Sequence, residues 1–145
     1  MNLNDILDQW DIDCVINENQ LGDASLQAAK LHSKYLRHLM DAKGRKTKAE
    51  ADYQILRKTK FRYYRGEMPR SELQTYGWEP YQYTKPLKNE MEEILRGDSD
   101  LSKLQMKLDY IDTVVYALES IMNQIKARDW QIKNAIEFKK FLAGN

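Results

Sequence analysis

Leu3, Ile6, Leu7 and Trp10 recur at i, i+3, i+4 and i+7 behind Asn2 and Asn4, a spacing that predicts a short amphipathic helix with either asparagine as its N-cap. Asp11–Asn17 (DIDCVIN) alternates polar and apolar residues, which reads as a short N-terminal strand or an extended linker. From Asp23 the pattern is helical for about forty residues. Ala28, Leu31, Tyr35, Leu39, Ala42, Ala49, Tyr53, Leu56 and Tyr63 follow steps of three and four, with Lys46 and Lys60 as the polar exceptions on that face. Gly66 and Pro69 end the run, and Gly44 inside it is the expected place for a kink or break. A helix of that length is about 60 Å long, against a radius of gyration of about 15 Å for a compact chain of this size. It must kink, project, or pack lengthwise against another long helix.

A second long helix is legible in Leu101, Leu104, Leu108, Ile111, Val115, Leu118, Met122 and Ile125, four heptads of a/d seam. Asp98, Ser99 and Asp100 stand at its start, and Gly97 closes a shorter helix that runs from about Leu87 through Leu95. A last helix, 129–142, carries Trp130, Ile132, Ile136, Phe138, Phe141 and Leu142 on a wide face. The expected fold is all-α: a long antiparallel helical hairpin (about 23–65 and 99–127) with short flanking helices, in one domain over 1–145. The seam's partner is either the chain's own first long helix or another protomer.

Composition supports a folded helical chain. Of 145 residues 42% are apolar, and the three prolines (Pro69, Pro80, Pro86) fall in one stretch, leaving long proline-free segments on either side. The longest wholly apolar run, Val114–Leu118, is far short of the ~18 residues that span a bilayer, so no membrane partner is expected. The N-terminus is acidic where a secretory leader would be basic, and Cys14 is the only cysteine, so a cytoplasmic location is expected.

The net charge of +1 conceals segregation. Residues 1–42 carry −4, residues 43–70 carry +7 and residues 71–145 carry −2. Ten cations in the middle block, Lys46 and Lys48 among them, form the electrostatic footprint of a polyanion-binding strip. Its densest part interleaves Arg57, Lys58, Lys60, Arg62 and Arg65 with Phe61, Tyr63 and Tyr64. Single-stranded nucleic acid calls for this combination, because cations track phosphates while flat rings stack on exposed bases. The competing interpretation is a solvated helix face over packed tyrosines. Phe61 is expected in the core on either view, and the aromatics from Tyr76 to Tyr83 are expected to pin the proline-rich loop to the helices.

Enzyme chemistry is missing from the sequence. No glycine-rich phosphate loop, G-x-S-x-G elbow or H-E-x-x-H is present, and His32 and His38 are not in the i, i+4 alignment of helical metal ligands. Glu90 and Glu93 read as a solvated acidic face, and Cys14 has no sequence-local basic neighbour to activate it. Catalytic residues, metal and cofactor are all expected to be absent.

At Leu31–Leu36, at Lys58–Gly66 and at Ile132–Lys133 through Phe141–Gly144, the chain resembles the UvsY recombination mediators of T-even-like bacteriophages, and order, spacing and length are similar. The resemblance implies a non-catalytic helical protein of the infected bacterial cell's cytoplasm, assembled as a hexameric or heptameric ring. Its implied partners are single-stranded DNA, the phage recombinase and the phage single-strand-binding protein, with the first protein loaded in place of the second. Lys58 and Lys60 match the cations of the family's DNA-binding motif, Phe61 its apolar position, and Tyr63-Tyr64 its aromatic pair. Arg62 and Arg65 depart from the motif and add charge, and residues 67–86 match poorly. The C-terminal helix would drive oligomerisation through Trp130, Ile132, Ile136, Phe138, Phe141 and Leu142, with an intramolecular cap as the alternative. Two other functions fit the residues: a structural coiled-coil adaptor whose basic strip meets an acidic protein, and a duplex-DNA packaging or terminase-type binder.

Overall fold

A computed structural model describes residues 1–144. It contains five helices: α1 (Leu3–Asp13), α2 (Leu21–Tyr64), α3 (Arg70–Tyr76), α4 (Lys88–Arg96) and α5 (Ser99–Leu142). The described residues contain no strand. Two compact units are formed, Met1–Arg45 with Ile111–Asn145, and Lys46–Tyr110. Both α2 and α5 contribute a segment to each unit.

In the first unit, α1 starts on Asn2, whose side chain accepts from the Asp5 amide at 2.8 Å while Asp5 accepts from the Asn2 amide at 3.2 Å. The strand expected over Asp11–Asn17 does not form. Residues 11–13 continue α1, because Asp13 accepts from Lys34 Nζ at 2.6 Å and from the Tyr35 hydroxyl at 2.8 Å. Ile12 and Val15 stay exposed, so the polar–apolar alternation has no buried face to specify a strand. Burial tends to raise the Asp13 carboxyl, but the bonds from Lys34 and Tyr35 outweigh it and hold it below the usual range.

The early part of α2 packs antiparallel to the later part of α5, as the Lys43–Glu119 ion pair and the Lys139 contact to the Glu18 carbonyl require. Tyr35, Leu39 and Ala42 of α2 and Ile111, Val115, Leu118, Met122 and Ile125 of α5 are among the buried residues of this unit, at the helical spacings read from the sequence. Trp10 sits edge-on to Tyr35 at 5.4 Å.

The last helix is not separate. α5 runs unbroken to Leu142, since no Gly or Pro lies between Ser99 and Leu142 to stop it. Arg128 is 4% exposed and donates to the Cys14 carbonyl at 3.3 Å, tying the middle of this helix to the end of α1. Gly44 likewise does not end α2.

In the second unit, α4 and the start of α5 close on the last turns of α2. Met91, Leu95 and Leu101 form the core, with Tyr53, Leu56 and Tyr64 packed against it. Gly66 (φ 72°) ends α2 in the left-handed region, and Gly77 (φ 70°) does the same for α3, a helix that the loop expected over the proline-rich stretch did not include.

Leu118 is fully buried, so Leu118→Ala is expected to cost about 3 kcal/mol through lost burial and a residual cavity. Urea unfolding followed by circular dichroism measures it, with a lower midpoint and an unchanged slope as the expected result.

Candidate nucleic-acid interface

The last two turns of α2 place side chains on two opposed faces. At 100° per residue, Leu56, Lys60, Tyr63 and Tyr64 point one way and Lys58, Phe61 and Arg65 the other. The first set continues the apolar register of the helix, and Lys60 occupies one of its polar exceptions.

Lys60 is consequently 5% exposed. Its ammonium pairs with Asp100 at 2.8 Å and Asp98 at 3.1 Å and lies 4.0 Å over the Trp78 ring. Asp98 also accepts from the Tyr64 hydroxyl at 2.6 Å and, through its other oxygen, from the Leu101 amide at 2.9 Å, so one carboxylate caps α5 and holds Lys60 together. Burial alone would raise Asp98. The bonds from Tyr64, the Leu101 amide and Lys60, with the Lys60 charge, outweigh it and keep the carboxyl below its ordinary 3.8. Burial would lower Lys60, but the two aspartates reverse that and raise it.

The other cations have different surroundings. Arg62 forms a two-bond fork with Glu72 at 2.8 Å, Arg57 bonds Glu92 at 2.7 Å and Arg65 bonds Glu67 at 3.0 Å. The Arg62 bonds and charge hold Glu72 below its usual value. Side chains in these three pairs are roughly a quarter to two-thirds exposed, and such pairs contribute only about 0–1 kcal/mol each. Separating these pairs therefore costs little stability. Lys58 and Lys48 are exposed without an ion pair among the described residues, and Lys46 pairs weakly with Glu50 at 4.0 Å.

The aromatic residues divide in the same way. Tyr63 meets Trp78 at 5.4 Å and Tyr81 at 5.9 Å, Tyr64 meets Tyr81 at 5.0 Å, and the Tyr63 hydroxyl donates to the Glu79 carbonyl at 2.6 Å. These contacts pin the 77–83 loop to α2, as expected from sequence. Tyr76 stacks on Trp78 at 4.5 Å, and Tyr83, 79% exposed, leans on Tyr81. Phe61, expected in the core, is instead 36% exposed on the face of Lys58, because its angular position is opposite the apolar seam. Lys85 and Lys88 stand near it and were not picked out by the sequence, since they lie outside the basic block and only folding brings them beside Phe61.

The residues expected to drive oligomerisation lie in the first unit. Ile132 is 3% exposed and belongs to that unit's own core, whereas Trp130, Phe138, Phe141 and Leu142 are well exposed and Ile136 borders on it. No helix is long and apolar enough to cross a membrane, and the described residues contain no group of three or more His, Cys, Asp or Glu suited to a metal ion.

An all-helical scaffold that fixes its inner rings and one inner cation while turning others outward is the class of architecture suited to a flexible polyanionic strand. The chain belongs to the UvsY family, whose sequence model, described as recombination, repair and ssDNA binding protein UvsY, matches residues 9–145. The recombination protein uvsY of Enterobacteria phage T4 is 25% identical over 144 residues, which cover 99% of each chain. In fold, the chain is similar to crystal structures of the bacteriophage T4 recombination mediator protein UvsY. One has a TM-score of 0.83 at 24% identity, covering 99% of this chain and 98% of that one. Another scores 0.80 at 23% identity over 94% of this chain and 98% of that one.

The two motif lysines are expected to behave differently on substitution. Lys60→Ala leaves two carboxylates without their buried cation and should cost about 3–5 kcal/mol in urea unfolding, whereas Lys58→Ala should stay within about 0.5 kcal/mol. Because the Asp98 value is depressed, its stabilisation is complete above the ordinary carboxylate value and is lost as pH falls through the folded one. Asp98→Asn should therefore be less stable than the wild type at pH 7, with the gap narrowing towards pH 2 in a thermal-melt series.

Proposed function

We propose that this chain is a non-catalytic recombination mediator that binds single-stranded DNA through the end of α2 and promotes loading of a recombinase in place of a single-strand-binding protein. Membership of a family described by recombination, repair and ssDNA binding supports the class of function. The observation that carries the site is the outward face of α2: Lys58 is exposed and has no ion pair among the described residues, and Arg57, Arg62 and Arg65 sit in exchangeable surface pairs. Lys48 extends the positive charge along α2, Lys46 lies partly buried on the inner register, and Tyr63 and Tyr64 support the strip from beneath. Lys60 acts as a positioning residue in this reading, since its charge is committed to Asp98 and Asp100.

Assembly into a ring supplies repetition. Each protomer offers one strip, and binding the first raises the effective concentration of strand at the next. Trp130, Phe138 and Phe141 share a helix face and are 67%, 60% and 73% exposed, an apolar surface suited to burial against a second copy. The phage recombinase and single-strand-binding protein are its protein partners, in the cytoplasm of the infected bacterial cell.

With four phosphates neutralised per protomer, the slope of log K against log salt is expected near −3, at roughly 0.7 per contact on a single strand. Lys58→Ala should flatten it by about 0.7 and weaken all sequences alike. Fluorescence anisotropy with labelled oligonucleotides checks this, and a preference for duplex DNA would point to packaging instead. The mediator step is tested by competition: added protein should speed replacement of the single-strand-binding protein by the recombinase, and an unchanged exchange rate would remove that part of the proposal. Phe138→Glu combined with Phe141→Glu should convert oligomer to monomer by light scattering while leaving the helical circular dichroism intact.

A further inference from the structure

Beside the end of α2 lies a groove of about 450 Å³, within the roughly 300–1,000 Å³ range of small-molecule sites. Phe61 lines it from α2, Arg65 from the turn that follows, Lys85 from the loop before α4, and Leu87, Lys88 and Met91 from the start of α4. Its lining includes three cations and no acid. Leu87 is 63% exposed, Phe61 offers a partly open ring, and the Arg65 guanidinium lies 5.5 Å from that ring. Arg65 is half-committed to Glu67, while Lys85 and Lys88 have no ion pair among the described residues. Lys58, three residues before Phe61, lies on the same helix face and leads towards the groove.

An apolar floor with one aromatic ring, bordered by cations from separate elements, is complementary to a nucleotide. A base needs a flat apolar contact, and its flanking phosphates need positive charge at either side. An acidic peptide would use the cations and leave the ring and Leu87 without a role. We infer that this groove is a nucleotide subsite for single-stranded DNA, in which one base rests against Phe61 and Leu87 while adjacent phosphates pair with Lys85, Lys88 and Arg65. The inference deepens the single-strand reading and rests on it. It extends the strand's path from α2 to the start of α4, adding Lys85 and Lys88, which lie far along the chain from the basic block. The strand is held by both sides of the groove, so a base is gripped where a strip on one helix alone would contact only the backbone.

The test measures binding of the full-length chain to a fluorescent oligo(dT) and to an abasic oligomer with the same number of phosphates. Lys85→Ala/Lys88→Ala is compared with Lys103→Ala/Lys107→Ala, an equal change in charge at exposed lysines of α5 in the same unit. The groove pair is expected to weaken oligo(dT) binding about tenfold and to flatten the salt slope by about 1.4, while the control pair changes affinity less than about twofold. The wild type should prefer oligo(dT) over the abasic strand, and Phe61→Leu should reduce that preference at least threefold, consistent with loss of base–aromatic stacking. Thermal melts verify that each variant is folded. If the groove and control pairs are equivalent, or Phe61→Leu keeps the full preference, the subsite is overturned, while binding weakened by Lys58→Ala would leave the single-strand reading standing. Wild-type protein that binds neither oligomer at low salt overturns both.

Discussion

Placing the Lys60 ammonium inside the second unit constrains everything around it. A buried cation is tolerable only when its charge is met and its donors are used, and here two carboxylates and an indole face do so. Asp98 is shared between that role and the cap of α5, so the start of α5 is fixed against the last turns of α2 by the same contact that neutralises the lysine. Tyr64 donates to the same carboxylate, and Tyr63 and Trp78 pack around the ammonium, which orders the loop after α3. The inner face of α2 is thereby spent on structure, while Lys58 on the outer face stays exposed.

Charge in this protein therefore has two grades. Buried pairs are structural, because separating them strands a charge in a poorly solvated place at a cost of several kcal/mol. Half-exposed pairs such as Arg62–Glu72 are nearly neutral in stability and can exchange partners. The +7 of the basic block is not +7 of available charge. Acids distant in sequence, from Glu72 to Asp100, occupy several of its cations.

Most helices are legible in the sequence. The Asn2 cap, the long apolar register ending at Gly66, the heptad seam from Leu101 to Ile125 and the short helix before Gly97 all appear in the structure, because local spacing and capping chemistry act over a few residues. Local signals mislead where the deciding neighbour is distant in sequence. Alternation in Asp11–Asn17 suggested a strand, but Lys34 and Tyr35 capture Asp13 and continue the helix. Asp129 suggested a new helix start, but nothing stops α5 there, and Arg128 is anchored to Cys14.

By itself, the sequence determined an all-helical chain, the segregation of its charge and the family resemblance carried by Lys58–Gly66. It also held, in its helical register, the reason Lys60 lies on the apolar face and Phe61 does not, since both follow from 100° per residue. Tertiary structure alone decided which cations are spoken for and which are free, because their acids arrive from α3, α4 and the start of α5. It alone brought Lys85 and Lys88 beside Phe61. Spacing along a helix is a local property that residues carry with them, whereas the availability of a charge or a ring depends on what the fold sets next to it.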